Sequence, residues 1–226
     1  MLSVIIPTLN SSATLGATLA AVAADRGALP REVIVADGGS IDDTRRIATR
    51  GGAIFLETRR GRGWQLAEGA IAASGDWFLF LHADTRLGEG WAPAVGTFIA
   101  NVGREERRAG YFRLAFDDRA VAARVIEAMV AIRSRLLGLP YGDQGLLIGR
   151  HFYEDVGGFK RIPLMEDVDL VRRIGRRRLT SIDVVALTSA ERYRRDGYLR
   201  RPLRNLVCLG LYSVGVSPRT IDSIYD

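Results

Sequence analysis

Three polar segments, each placed directly after a run of apolar residues, hold most of the chemical potential of the first hundred positions. Thr8-Leu9-Asn10 follows Val4-Ile5-Ile6, Asp37-Gly38-Gly39-Ser40 follows Val33-Ile34-Val35-Ala36, and His82-Ala83-Asp84 follows Trp77–Leu81. An acid followed by two glycines allows backbone to approach a ligand closely. The Asp37 carboxylate can accept hydrogen bonds from a base or ribose, and the same residues also suit a plain turn before a helix. Strand alternation through His82 and Asp84 sends both side chains to one side. An imidazole and a carboxylate so placed can ligate a divalent cation, with phosphates and water completing the shell, or can bond to each other. Gly61-Arg62-Gly63-Trp64-Gln65 opens a helix with glycines and a fixed cation, which fits an anion or phosphate.

The second half adds acids. Tyr141-Gly142-Asp143-Gln144-Gly145 is a polar turn suited to recognising hydroxyls, or an ordinary turn, and His151 is a further acceptor-side candidate. Glu166-Asp167-Val168-Asp169 begins a helix that continues into Arg172-Arg173. Helix-dipole and side-chain ion-pair chemistry accounts for Asp169, while Asp167 is placed to act as a general base on an acceptor hydroxyl. Cys208, the single cysteine, lies in Leu206-Val207-Cys208-Leu209 and reads as a buried, inert thiol. One cysteine excludes an intrachain disulfide and a cysteine-based zinc site.

The elements needed to position these residues alternate. Val4–Ile6, Glu32–Ala36, Ala53–Leu56 and Trp77–Leu81 read as strands, and Ser11–Ala24, a segment beginning at Ser40 and Trp64–Ala73 read as helices between them. Ser40 is the expected cap of the second helix, with Asp43 returning to it. Tyr111–Phe116, Gly145–Gly149 and Leu179–Leu187 read as later strands. Ala120–Leu139 reads as a long helix carrying Val121, Val125, Met129 and Ile132, with further helices at Asp167–Gly175 and Tyr198–Val214. Strands separated by helices imply one α/β domain with a mostly parallel central sheet covered by helices on both faces.

The chain has 226 residues, 47 % of them hydrophobic and 26 % charged, enough for a core and incompatible with disorder, collagen or coiled coil. No apolar run is long enough to cross a bilayer, and Met1–Pro7 lacks a signal peptide's basic region, so a cytoplasmic location is expected. Residues 1–100 carry 9 cations and 10 acids, whereas residues 101–226 carry 23 and 16. All the cations but Lys160 are arginine, so the charge persists across pH and favours partners bearing phosphates. Arg192, Arg194, Arg195, Arg200, Arg201 and Arg204 precede the apolar Leu206–Val216, a composition fit for an interfacial helix on anionic lipid. The tail is expected to pack on the domain and to make peripheral contact with the inner membrane face; no motif indicates nucleic-acid binding.

In this order the segments resemble the family 2 glycosyltransferases of the GT-A (Rossmann-like) fold over roughly residues 1–190. The matching pieces are Ser3–Asn10, Val33–Ser40, Gly61–Gly63 with Gly69-Ala70, His82–Asp84, Gly157-Gly158-Phe159 and Glu166-Asp167; they also look like a small bacterial subgroup, the radical-SAM/selenodomain-associated transferases. The resemblance implies an inverting transfer from a nucleotide-diphosphate sugar to an acceptor hydroxyl. It implies that Asp37 and Gly38 with Thr8 and Leu9 hold the nucleoside, that Arg62 lies near the base or phosphates, and that Asp84 reaches a metal bridging the diphosphate. Asp167 matches the catalytic base, with Glu166 in support, and Asp143 and Gln144 fall on the acceptor side. It implies residues 1–100 as a nucleotide-binding half, 101–190 as an acceptor and catalytic half, and 191–226 as a basic, apolar tail. His82 replaces the first acid of the family's Asp-x-Asp motif, and an imidazole ligand favours Mn²⁺ over Mg²⁺. A sugar-phosphate nucleotidyltransferase, usually marked by a Gly-rich basic loop after strand one, and a noncatalytic nucleotide binder are the alternatives.

Overall fold

The run Leu2–Thr8 forms β1, and all seven of its residues are buried because strands flank it on both sides and helices cover both faces. The computed structural model describes residues 1–24, 29, 31–103 and 107–225. The remaining strands are β2 (Arg31–Asp37), β3 (Ile54–Glu57), β4 (Trp77–Phe80), β5 (Thr85–Leu87), β6 (Ala109–Phe116), β7 (Leu146–Gly149) and β8 (Leu179–Thr188). The helices are α1 (Leu15–Ala23), α2 (Thr44–Arg50), α3 (Arg62–Ala72), α4 (Trp91–Val102) and α5 (Val121–Leu137), then α6 (Arg150–Asp155), α7 (Glu166–Ile174), α8 (Glu191–Asp196), α9 (Arg200–Ser213) and α10 (Pro218–Tyr225).

The eight strands form one sheet in the order β3-β2-β1-β4-β7-β6-β8-β5. Alternation divides the core. Leu2, Val4 and Ile6 of β1, with Trp77 and Leu79 of β4, pack among Leu15, Leu19, Trp91 and Val95 of α1 and α4. On the other face, Ile5, Phe78 and Phe80 meet Leu66 and Ala70 of α3, Phe152 of α6 and Leu170 of α7. The expected two-sided, mostly parallel α/β sheet is present, and its second half is mixed. β3-β2-β1-β4 is parallel throughout, but β7 enters antiparallel to both β4 and β6, and β5 is antiparallel to β8.

Two local expectations are corrected. Ser40 does not cap α2: its hydroxyl donates to Asp37, and the helix begins at Thr44, where Asp42 accepts from the Thr44 amide and hydroxyl. The stripe Val121, Val125, Met129 and Ile132 faces solvent; α5 instead buries Ala123, Ile126 and Val130 against Leu114 and Phe116 of β6. Both stripes have helical spacing, so only the sheet selects between them. The tail packs on the domain as expected: Cys208 of α9 and Ile221 of α10 are fully buried against Leu164, Met165 and Val168. Burial pushes the Cys208 thiol pKa up, in keeping with an inert side chain.

Candidate functional site

β1 and β2 end level, with Thr8 paired to Asp37, and the loops leaving them are tied together by the Asp37 carboxylate. Its Oδ1 accepts from the Thr8 hydroxyl at 2.8 Å and the Ser40 hydroxyl at 2.6 Å; its Oδ2 accepts from the Gly39 and Ser40 amides at 3.0 and 2.7 Å. Asn10 completes the stitch, since its amide donates to Ser40 Oγ and its Oδ1 accepts from the Ile41 amide. Asn10 has a positive φ of 50°, an uncommon conformation for a non-glycine residue that the two hydrogen bonds hold in place. The buried Gln65 amide of α3 donates to the carbonyls of Thr8 and Ala36 at 2.6 and 2.9 Å, fixing both strand ends from below.

Gly63 lets α3 come that close to the rest of the site. A Cβ there would lie 2.3 Å from the Lys160 carbonyl oxygen, so the backbone of 160–162 rests directly on the helix start. That segment leads to α7, whose first two residues are Glu166 and Asp167. The residue before them, Met165, is the other non-glycine with positive φ among the described residues, at 68°. Strain of this kind gathers at functional positions, and here it sits at both ends of the cleft.

His82 and Asp84 come together, but strand alternation is not the reason. β4 stops at Phe80, and the two residues occupy a turn closed by the Thr85 amide on the His82 carbonyl. His82 Nε2 faces Arg62 Nη1 at 3.4 Å, and Arg62 Nε faces Glu166 Oε1 at the same distance. A guanidinium can only donate, so this imidazole is neutral with Nδ1 protonated. Burial, with the Arg62 and Arg192 cations, pushes its pKa down to about 3. Asp84 Oδ1 is buried with no hydrogen-bond partner.

Across from this turn, Asp167 accepts from the Gly142 and Val168 amides at 2.9 and 2.7 Å. Gly142 packs against the imidazole so tightly that a Cβ would lie 2.4 Å from His82 Nε2. Glu166 is 2 % exposed; burial raises its pKa to about 7 against the pull of Arg62, and Oε2 has no partner. Burial likewise raises Asp143 to about 6, and its Oδ1 is also without a partner. Arg62, His82, Asp84, Asp143, Glu166 and Asp167 line one inner cavity of about 110 Å³. It opens through Arg62, His82, Asp84 and Arg192 into an outer cleft of about 870 Å³ walled by Thr8, Leu9 and Asn10. That volume lies within the range of small-molecule ligand clefts.

Two acceptor-side expectations fail. Gln144 is 2 % exposed and spent on structure, accepting from Ser134 Oγ of α5 and donating to the Phe112 carbonyl of β6. His151 lies at the opposite end of the sheet, beside Met1, Asp76 and Trp77. Asp169 forms ion pairs with Lys160 and Arg173, as its helix position implies. Sequence reasoning missed Gln65 and Arg192. Gln65 lies one turn after Arg62 on α3, a spacing that carries the signal, whereas Arg192 is masked by the neighbouring arginines. Of those, Arg194 engages Asp117 and Asp118, and Arg195, Arg201 and Arg204 engage Asp196.

Among the described residues, no group of three or more histidine, cysteine or acidic side chains is gathered for a metal, and no helix is long and apolar enough to cross a membrane. The model for glycosyl transferase family 2 matches residues 3–101. A PGL/p-HBAD biosynthesis glycosyltransferase of Mycobacterium tuberculosis is 35 % identical over 113 residues, which are 47 % of this chain and 43 % of the relative. The chain therefore spans less than half the length of that relative. Glucosyl-3-phosphoglycerate synthase from M. tuberculosis, solved with Mn²⁺, UDP and glucosyl-3-phosphoglycerate, superposes with a TM-score of 0.54 at 20 % identity, covering 84 % of this chain and 70 % of that one. S. aureus TarS 1–349 superposes with a TM-score of 0.64 at 17 % identity, covering 99 % and 69 %. Residues 3–101 thus match glycosyl transferase family 2, and the chain has the fold of the GT-A glycosyltransferases.

Proposed function

We propose that the chain is an inverting glycosyltransferase that moves a sugar from a nucleoside-diphosphate sugar to an acceptor hydroxyl. The observation that carries this reading is the continuous cavity. It leads from the Thr8–Asn10 loop, past the unpartnered Asp84 oxygen, to Asp167. Thr8, Leu9 and the loop after Asp37 hold the nucleoside, and Asp37 holds that loop in shape. Arg62 and Arg192 lie where the diphosphate passes between the two spaces.

An acceptor hydroxyl in the inner cavity gives its proton to the Asp167 carboxylate as its oxygen attacks the anomeric carbon. The bond from that carbon to the diphosphate oxygen breaks, and the electron pair leaves with the nucleoside diphosphate. The Gly142 amide orients Asp167, and Glu166 keeps Arg62 pointed at the cleft. Asp143 is a further polar group lining the same cavity, on the acceptor side.

Asp84 fits one coordination position of a divalent metal, with diphosphate oxygens and water supplying the others. Such an ion would neutralise charge on the departing diphosphate. His82 does not fit as a second ligand while its Nε2 faces the Arg62 guanidinium, which removes the reason for preferring Mn²⁺ to Mg²⁺. UDP-bound forms of glucosyl-3-phosphoglycerate synthase contain either Mn²⁺ or Mg²⁺, which supports a divalent metal without choosing one.

A thermal-shift series with UDP, GDP, ADP and CDP, each with Mg²⁺, Mn²⁺ or EDTA, tests the donor site. At a hundredfold excess over Kd, binding contributes about 3 kcal/mol, or roughly 5–10 °C in Tm for a chain of this size. One nucleoside diphosphate should reach that range, and Asp84→Ala should remove its metal-dependent part. No shift with any of the four would defeat the reading.

A further inference from the structure

α5 and α9 turn apolar side chains to solvent. Along α5, Val121, Val125, Met129, Ile132 and Leu136 recur at helical spacing and are 53–79 % exposed. On α9, Leu203, Leu206 and Val207 are 48–64 % exposed. The C-terminal ends of the two helices are joined through the end of α7. Gly138, the α5 C-cap, packs against Arg176, and Arg172, one turn earlier, stacks on Tyr212 and donates to Ser213 of α9. Of the arginines in α5, α9 and the Arg176–Arg178 turn, Arg201 and Arg204 are paired with Asp196, whereas Arg135, Arg176, Arg177, Arg178 and Arg200 are exposed; the one acid in these elements is Glu127. That acid is already engaged by Arg124 and the Phe116 amide.

We propose that this face docks on an anionic lipid surface. α5 lies in the plane of the interface with its apolar stripe at the acyl boundary, and the exposed Arg135, Arg176 and Arg177 sit among headgroup phosphates. Charge decides between lipid and a second copy of the chain. A twofold contact brings the same patch against itself, which would set this arginine-rich face against its own like charge. An anionic bilayer is complementary, with each surface arginine contributing favourably. The seventeen residues of α5 reach only about 25 Å at 1.5 Å per residue, and its arginines exclude it from spanning. The expectation from sequence placed lipid contact on the tail alone; α5 and the Arg176–Arg178 turn extend it to a second helix. The inference is independent of the proposed transfer reaction, because the α5 stripe, Arg135, Arg176 and Arg177 lie outside the catalytic cavity.

Sedimentation of the full chain with phosphatidylcholine vesicles, and with phosphatidylcholine vesicles containing phosphatidylglycerol, tests it. The chain should pellet with the anionic vesicles, and binding should weaken with added salt. Ile132→Glu and the pair Arg176→Glu/Arg177→Glu should each lower vesicle affinity tenfold or more. Both variants alter exposed side chains, so their melting temperature and nucleotide-induced shift should match the parent. Failure to pellet with anionic vesicles at low salt would overturn the proposal, as would binding that neither variant reduces. Light scattering that shows a dimer, returned to monomer by Ile132→Glu, would assign the face to a second copy instead.

Discussion

Arg62 couples the charges of the cleft, because its guanidinium spans the 3.4 Å contacts to both His82 and Glu166. Those two partners respond to pH in opposite senses. Glu166, raised from 4.5 to about 7, keeps in the folded state a proton that the unfolded chain has released. Its contribution therefore makes stability fall as pH rises from about 4.5 to 7. His82, lowered from 6.5 to about 3, is neutral when folded and protonated when unfolded across that span. Its contribution makes stability fall as pH drops below about 6.5. The two effects oppose each other between pH 4.5 and 6.5. Glu166→Gln should separate them: relative to the parent it should gain stability between pH 5 and 7.5, by about 2 kcal/mol or roughly 4–8 °C. Differential scanning calorimetry at both pH values checks this, and a gap that does not change with pH would contradict it. Asp167→Asn acts on chemistry instead. It should lower kcat by about 10²–10⁴ while leaving the nucleotide-induced thermal shift intact; turnover equal to the parent would remove Asp167 as the base.

At the scale of elements, the site depends on how closely α3 lies against the 160–162 backbone. Gly63→Ala would force a Cβ to 2.3 Å from the Lys160 oxygen and 2.5 Å from the Ile162 oxygen, both backbone atoms that cannot rotate away. The expected cost is about 1–3 kcal/mol, seen as a lower Tm, with a further loss of kcat because 160–162 leads directly to Glu166 and Asp167. Gly96→Ala, on the open side of α4 with nothing within 4 Å, should show neither effect. The sequence was most legible where local pattern and tertiary demand agree. Val4–Ile6 and Trp77–Leu81 are apolar on both faces because the strands they form are buried on both faces. α4 escaped notice because Pro93 and Gly96 interrupt it, although a proline in the first turn removes only an amide that has no helical partner. β5 has three residues and takes its identity from its pairing with β8. The antiparallel insertion of β7 between β4 and β6 leaves no local mark at all. In the site, Asp37, Asp84 and Asp167 stood out as acids at element ends, whereas Gln144 was misread because a short polar turn hides which of its side chains points into the core.

Over the whole molecule, the final helices belong to the body that holds the proposed site. Ile221 of α10 and Cys208 of α9 are fully buried against Leu164, Met165 and Val168, the residues that bracket Glu166 and Asp167. Asp222 lines the outer cleft, and Arg201 and Asn205 line the inner cavity. The last thirty-odd residues therefore act on Glu166 and Asp167 through packing, from the side of α7 that faces away from the sheet. Ile221→Ala should cost about 2–4 kcal/mol, as large-to-small changes at fully buried sites do, or roughly 5–15 °C in Tm. Because the cavity it leaves lies under the strained Met165, kcat should fall by more than the population of unfolded protein explains, even at temperatures well below the melting point. Ile224→Ala on the same helix removes a side chain that is 48 % exposed and supplies the control. If the two variants lose stability and turnover equally, α10 is only a covering segment; a selective loss at Ile221 would mean that the tail sets the geometry of the base.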